Sequence, residues 1–210
     1  MKYKNKKYTR PDLDIISNLV PADSSVLDLG CGSGELLYDL INRKNVRGQG
    51  IELDSDHVFE CVARGVPVIH QDLDEGLKEY ADCSFDYVIL SQTLQQVQRP
   101  DLTLIEMLRV GRYGIVGLLN FGHWKVRNYL LIHGRMPKSR TLPYEWYNTP
   151  NIHLSTIRDF QLYCTQHQVK ILKQINLVHK RVGTLLPRVF PNSFANLSVF
   201  VVEKEKSRMV

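Results

Sequence analysis

Apolar residues in this chain come in short unbroken runs separated by stretches of helical spacing, the alternation expected of parallel strands covered by helices. Residues 11–20 (P-D-L-D-I-I-S-N-L-V) have helical spacing with proline in the first turn, and Pro21-Ala22-Asp23 ends the pattern. Val26, Leu27 and Leu29 make the first buried run, and Leu36, Leu37, Leu40 and Ile41 place a helix over 35–43. A second strand follows over 47–53. Asp54-Ser55-Asp56 is a capping cluster for a helix through Arg64, which Gly65 ends. The third strand, 66–70, contains Pro67 and so belongs at a sheet edge. Residues 84–90 are a fourth strand, 101–109 a helix capped by Asp101, and 114–121 a fifth strand. Residues 122–154 show little periodicity and read as a long insertion. A helix over 156–167, capped by Ser155, and two extended runs, 169–179 and 196–203, complete the chain. Five β-α units with a closing pair of strands make one α/β domain over 1–210, with 122–154 as an inserted lid or partner-binding segment.

Composition narrows the class. With 210 residues, 43% hydrophobic and 23% charged, the chain can bury a core without disulfides, and no stretch approaches the ~18 apolar residues of a membrane span. The start of the chain is basic but no apolar segment follows it, so it does not read as a secretory signal. Cys31, Cys61, Cys83 and Cys164 are scattered without a C-x-x-C pair, which argues against zinc and for reduced thiols in the cytoplasm. Much of the net charge of +5 sits in the two tails (Lys2, Lys4, Lys6, Lys7, Arg10; Lys204, Lys206, Arg208), expected to be solvated. No aromatic-flanked basic cluster of an RNA module accompanies them, so nucleic acid is not the expected partner.

The chemistry concentrates at residues 24–35, S-S-V-L-D-L-G-C-G-S-G-E. Gly30, Gly32 and Gly34 follow the first strand at alternate positions, so bare backbone N–H groups can approach a ligand ahead of a helix. A dinucleotide loop would read G-x-G-x-x-G and carry pyrophosphate. Here the third glycine comes one residue early and Asp28 precedes the loop, where a carboxylate repels phosphate but suits an ammonium or sulfonium group. S-adenosylmethionine carries both. Glu52, 20 residues beyond Gly32 at the end of the second strand, stands where ribose hydroxyls are held in such folds. The candidate ligand-binding residues are Asp28, Gly30, Cys31, Gly32, Gly34, Glu52, Leu53, Asp72, Leu73 and Ser91. Asp72 has a competing reading as a turn cap, and Cys31 as a small packing residue rather than a nucleophile. No metal site is expected.

V-L-D-L-G-C-G-S-G followed by G-I-E-L-D resembles the signature of class I S-adenosylmethionine-dependent methyltransferases. The resemblance implies a Rossmann-like, seven-stranded, mostly parallel sheet with an antiparallel last strand and helices on both faces. It also implies that Asp72 faces the adenine amine of S-adenosylmethionine or S-adenosylhomocysteine. The words N-F-G-H-W-K-V-R, G-R-M-P-K-S-R-T-L-P-Y-E-W-Y-N-T-P-N-I-H-L, R-P-D-L-D-I-I, V-I-H-Q-D-L-D-E-G-L, S-F-D-Y-V-I-L-S-Q-T-L-Q and E-M-L-R-V-G-R resemble the methionine-biosynthesis protein W (MetW) family from about Arg10 to Leu177. That resemblance implies a protein acting beside a homoserine O-acyltransferase of the MetX type. Catalysis is left open: Ser91-Gln92-Thr93-Leu94 stands where planar-amine methylases carry N/D-P-P-Y, and only His123 and His153 in the insertion are candidate bases. The alternative reading is a methyltransferase acting on a small polar metabolite. Oligomeric state is open as well.

Overall fold

The computed structural model describes residues 10–139, 142–178, 181–182 and 185–205. Among the described residues eight strands form one sheet: β1 (Ser25–Leu29), β2 (Arg47–Glu52), β3 (Val68–His70), β4 (Phe85–Ser91), β5 (Gly111–Leu119), β6 (Val169–Val178), β7 (Arg181–Val182) and β8 (Leu197–Lys204). Their order is β3-β2-β1-β4-β5-β8-β6-β7. The five strands β1 to β5 pair in parallel, and β8 enters antiparallel between β5 and β6. The two-residue β7 pairs only with β6, as a hairpin at the margin, so seven principal strands carry the expected plan. Pro67 indeed adjoins the edge strand, its carbonyl accepting from Gly50 N–H at 2.8 Å.

Successive strand residues point to opposite faces, and this period of two builds two cores. Leu27, Leu29, Val88, Leu90, Val116 and Phe200 pack on one face with α4 (Pro100–Val110) and α6 (Ile157–Gln166). Val26, Ile89, Ile115 and Val199 pack on the other with α1 (Pro11–Leu19), α2 (Glu35–Lys44) and α3 (Ser55–Ala63). By the same parity Asp28, Glu52 and Ser91 all fall on the α1–α2 side.

Several helix ends differ from the sequence reading. Asp54 caps α3 as expected, accepting from Asp56 and His57 N–H. Asp101, however, lies inside the first turn of α4. Pro100 occupies the first helical position, and the Asp74 carboxylate accepts from Gln98 and Arg99 N–H instead. The cap of α6 is Thr156 rather than Ser155, because Thr156 and Asp159 close a reciprocal capping box. The insertion is not wholly irregular: Trp124–His133 form α5, with His123 Nδ1 accepting from Lys125 N–H at its start. The segment before β8 carries two short helices, α7 (Leu185–Val189) and α8 (Pro191–Phe194). Of the basic tails, Lys2, Lys4, Lys6, Lys7, Lys206 and Arg208 lie outside the described residues. Among the described residues no helix is long and apolar enough to cross a membrane.

Candidate functional site

The carboxyl ends of β1 and β4 open into a cavity of about 90 Å³ lined by Arg10, Asp28, the glycine loop, Leu36 and Ser91. The chain turns from β1 into α2 through left-handed backbone at Gly30 and Gly34, with φ of +72° and +75°. A Cβ on Gly30 would lie 2.6 Å from the Thr93 side chain, so glycine is required there for space as well as conformation. Gly32 presents its N–H to Glu52 Oε2 at 2.7 Å, and Glu52 Oε1 accepts from Leu53 and Asp54 N–H at 2.9 and 3.0 Å. One carboxylate therefore ties the glycine loop to the β2–α3 turn, and Oε2, which accepts a single N–H, keeps lone-pair capacity for a hydroxyl donor.

Asp28 is the unusual group. Its side chain is almost wholly buried, and among the described residues no side chain or backbone N–H donates to it. Burial first, and then the charges of Glu52 and Asp12, push its pKa from 3.8 to about 7 against the opposing pull of Arg10. A buried, undonated carboxylate facing a cavity is a binding site for a cationic donor.

Opposite it stands Arg10, read from sequence as part of a solvated tail. The structure corrects this. Arg10 Nη2 donates to Asp12 Oδ2 at 2.8 Å and Ser91 Oγ at 3.0 Å. Asp12, with no exposed surface, also accepts from Ser91 Oγ at 2.8 Å and Gln92 Nε2 at 3.0 Å. The start of α1 is thereby docked on the tip of β4. Sequence reasoning missed Arg10, Asp12 and Gln92; the signal available was the acidic Asp12 on an otherwise apolar helix face. Gln92 itself adopts φ +62°, its N–H on Gly117 O at 2.8 Å.

The remaining candidates lie around this cavity rather than in it. Leu53 is exposed at the β2 tip, with His70 Nε2 on its carbonyl at 2.8 Å. Asp72 accepts from Asp74 N–H and caps a short 3-10 turn, Leu73–Glu75, while the Leu73 side chain joins the core. Among the described residues, neither His123 nor His153 lines the cavity. His153 Nε2 is buried without a partner, and Ile152 and His153 N–H both donate to Gln95 O.

Cys31 and Cys61 lie beneath the glycine loop with their Sγ atoms 3.8 Å apart. Burial raises both thiols, Cys31 further through the charge of Asp28, and lifts Cys164 to about 11. Only Cys83 is exposed. A thiol-disulfide colorimetric reagent at pH 8 is therefore expected to titrate one thiol rapidly in the folded protein and four after denaturation. Two or more fast thiols would mean that the glycine loop opens in solution.

Comparison with known proteins now bears on the site. The family model of methionine biosynthesis protein MetW matches residues 10–202, which takes in the whole cavity lining. The chain belongs to the MetW family. A bifunctional methionine biosynthesis protein MetXA/MetW of Rhodopirellula baltica is 36% identical over 203 residues, covering 92% of this chain. The MetW-family chain spans about a third of that relative, 33% of its length. Among solved structures, an S-adenosylmethionine-dependent methyltransferase of Thermotoga maritima has a TM-score of 0.67 at 19% identity, covering 93% of this chain and 88% of its own. The [4+2]-cyclase SpnF has a TM-score of 0.65 at 15% identity, covering 92% and 80%. The fold is therefore Rossmann-like and methyltransferase-like. A cyclase on the same fold means that the fold alone does not assign a reaction to this MetW-family chain.

Proposed function

We propose that this chain binds S-adenosylmethionine or S-adenosylhomocysteine and, so loaded, supports or regulates a homoserine O-acyltransferase in methionine synthesis. The observation that carries the ligand is the pairing of the undonated Asp28 carboxylate with the Arg10 guanidinium across one small cavity. An amino-acid head group needs an acceptor for its ammonium and a donor for its carboxylate. Asp28 and Arg10 supply them, and a cavity of about 90 Å³ suits the head group rather than a whole nucleoside. Glu52 would receive the ribose hydroxyls, with Leu53, Asp72 and the Leu73 backbone along the adenine. A phosphate would meet two carboxylates in the same place.

The partner is supported by the relative in which MetXA and MetW are named together as one bifunctional protein. Because neither histidine of the insertion lines the cavity, the site favours binding and reporting over base-assisted methyl transfer. Free cysteines throughout accord with a reducing cytoplasm.

Titration calorimetry with S-adenosylmethionine, S-adenosylhomocysteine and a nicotinamide dinucleotide tests the ligand. Saturable heat is expected with the two adenosyl compounds only. Binding of the dinucleotide instead, or silence of both adenosyl compounds at millimolar concentration, overturns the ligand assignment. Homoserine acylation by the acyltransferase from the same source, with and without this chain and S-adenosylmethionine, tests the partnership; an unchanged rate removes it.

A further inference from the structure

Helix α5 is built against expectation for a surface helix. It carries Trp124, Val126, Tyr129, Leu130, Leu131 and Ile132 yet buries none of its residues, and Leu131 is 84% exposed. A helix apolar on every side is normally enclosed. Nor is α5 alone: Leu185, Leu186, Val189 and Phe190 in and beside α7 are also exposed, Leu185 by 74%, and Trp146 by 75%. These segments lie at one end of the sheet, since α5 follows the carboxyl end of β5 and α7–α8 precede Leu197, which pairs with Leu119. Their attachment points meet at one side chain. The buried Asn120 accepts from Gly122 and Ile157 N–H through Oδ1 and donates through Nδ2 to Asn192 O and Ala195 O. Exposed apolar area of this extent marks an interaction surface.

No residue of 122–154 lines the ligand cavity, whose lining comes from Arg10, α1, the glycine loop and β4. Charge selects among occupants. Residues 122–154 hold five Lys and Arg against the single acid Glu145, and 181–194 add Arg181 and Arg188 with no acid, so these two stretches outweigh the net +5 of the whole chain. A second copy using the same patch in a twofold contact would bring like charges face to face. The occupant these features favour is a protein with an apolar, acid-rimmed surface.

We infer that the α5–α7 surface is where the homoserine O-acyltransferase docks, an inference that rests on the partnership proposed above. Gln95 links the base of this surface to the loop that follows Ser91. Four residues beyond Ser91, it holds Leu119 N–H and O through its side chain, Ser155 Oγ through Nε2, and Ile152 and His153 N–H through its carbonyl.

The test is a surface-binding titration of full-length protein on the immobilised acyltransferase from the same source. The variants are Leu131→Glu with Ile132→Glu, Arg188→Glu alone, and Phe59→Glu as a control on the exposed face of α3. The double variant is expected to bind at least tenfold more weakly, Arg188→Glu to weaken binding mainly through slower association, and the control to match wild type. All three should keep wild-type S-adenosylhomocysteine binding, which reports folding. Wild-type affinity in the double variant and in Arg188→Glu overturns the surface while leaving the partnership standing. Failure of wild type to bind at all overturns the partnership, and the docking assignment with it. Sedimentation with anionic phosphatidylserine vesicles, or dimerisation in analytical ultracentrifugation, abolished by the double variant without loss of acyltransferase binding, overturns the assignment in favour of a membrane or a second copy.

Discussion

At pH 8 the Asp28→Asn protein, free of ligand, is expected to melt at a higher temperature than wild type while binding S-adenosylmethionine roughly 10- to 150-fold more weakly. The two effects have one origin. Asp28 titrates near 7 in the fold against 3.8 ordinarily, because burial disfavours its charged form. Between those values the folded chain holds a proton that the unfolded chain has lost, so stability falls as pH rises through the window and stays low above it. Three pH units at about 1.4 kcal/mol each bound the cost at about 4 kcal/mol, and a neutral isostere removes it. At pH 3, below both values, the two proteins should melt nearly together, and at pH 5 part of the gap is already open. Binding moves the other way, since a hydrogen bond to a charged partner contributes about 1.5–3 kcal/mol and asparagine offers the ammonium no charge. For the same reason wild-type affinity should fall about tenfold per unit below pH 7, because the carboxylate must shed its proton before it can accept the cation. Calorimetry at pH 6, 7 and 8, with differential scanning on both proteins, checks all three. A variant less stable than wild type at pH 8, or affinity flat from pH 6 to 8, would show that Asp28 is already compensated.

Such a site keeps its least comfortable residue where the ligand goes, a common exchange of stability for function. Much of it was legible beforehand. Counting by twos along V-L-D-L, G-I-E and V-I-L-S puts Asp28, Glu52 and Ser91 on the same side of the sheet once the strands are taken as parallel. The glycine spacing fixes where the chain turns. What could not be read was anything set by contacts distant in sequence. Arg10 looked like one more basic tail residue because Ser91, which it shares as a partner with the neighbouring Asp12, lies 81 residues away. Asp74, not Asp101, serves α4 for the same reason. Helix α5 escaped because periodicity reports a helix only when one face is buried, and here none is.

Asp12→Ala is expected to destabilise the protein by about 2–4 kcal/mol, the largest loss of any single substitution at the site. Four donors converge on this wholly buried carboxylate: Arg10 Nε and Nη2, Ser91 Oγ and Gln92 Nε2. Removing one partner of a buried pair costs about 3–5 kcal/mol because the other is stranded. The Arg10 side chain, 33% exposed, can recover some hydration, which lowers the figure. Asp12→Asn keeps the shape and an acceptor and should lose roughly half as much. Burial raises the Asp12 pKa, but the hydrogen bond and charge of Arg10, with Ser91 and Gln92, more than offset it and leave it below the ordinary value. Its contribution is therefore present above the unfolded pKa near 3.8 and disappears as pH falls through the folded one, opposite in sign to Asp28. The gap between wild type and Asp12→Ala should then be full at pH 7 and close in strong acid. Denaturant titrations at pH 7 and pH 3 measure it. Because Asp12 also aims Arg10 at the cavity, the same substitution should weaken adenosyl-ligand binding even where the fold is intact. Equal midpoints at pH 7 would mean that α1 is not docked on β4, and the carboxylate-binding half of the head-group site would go with it.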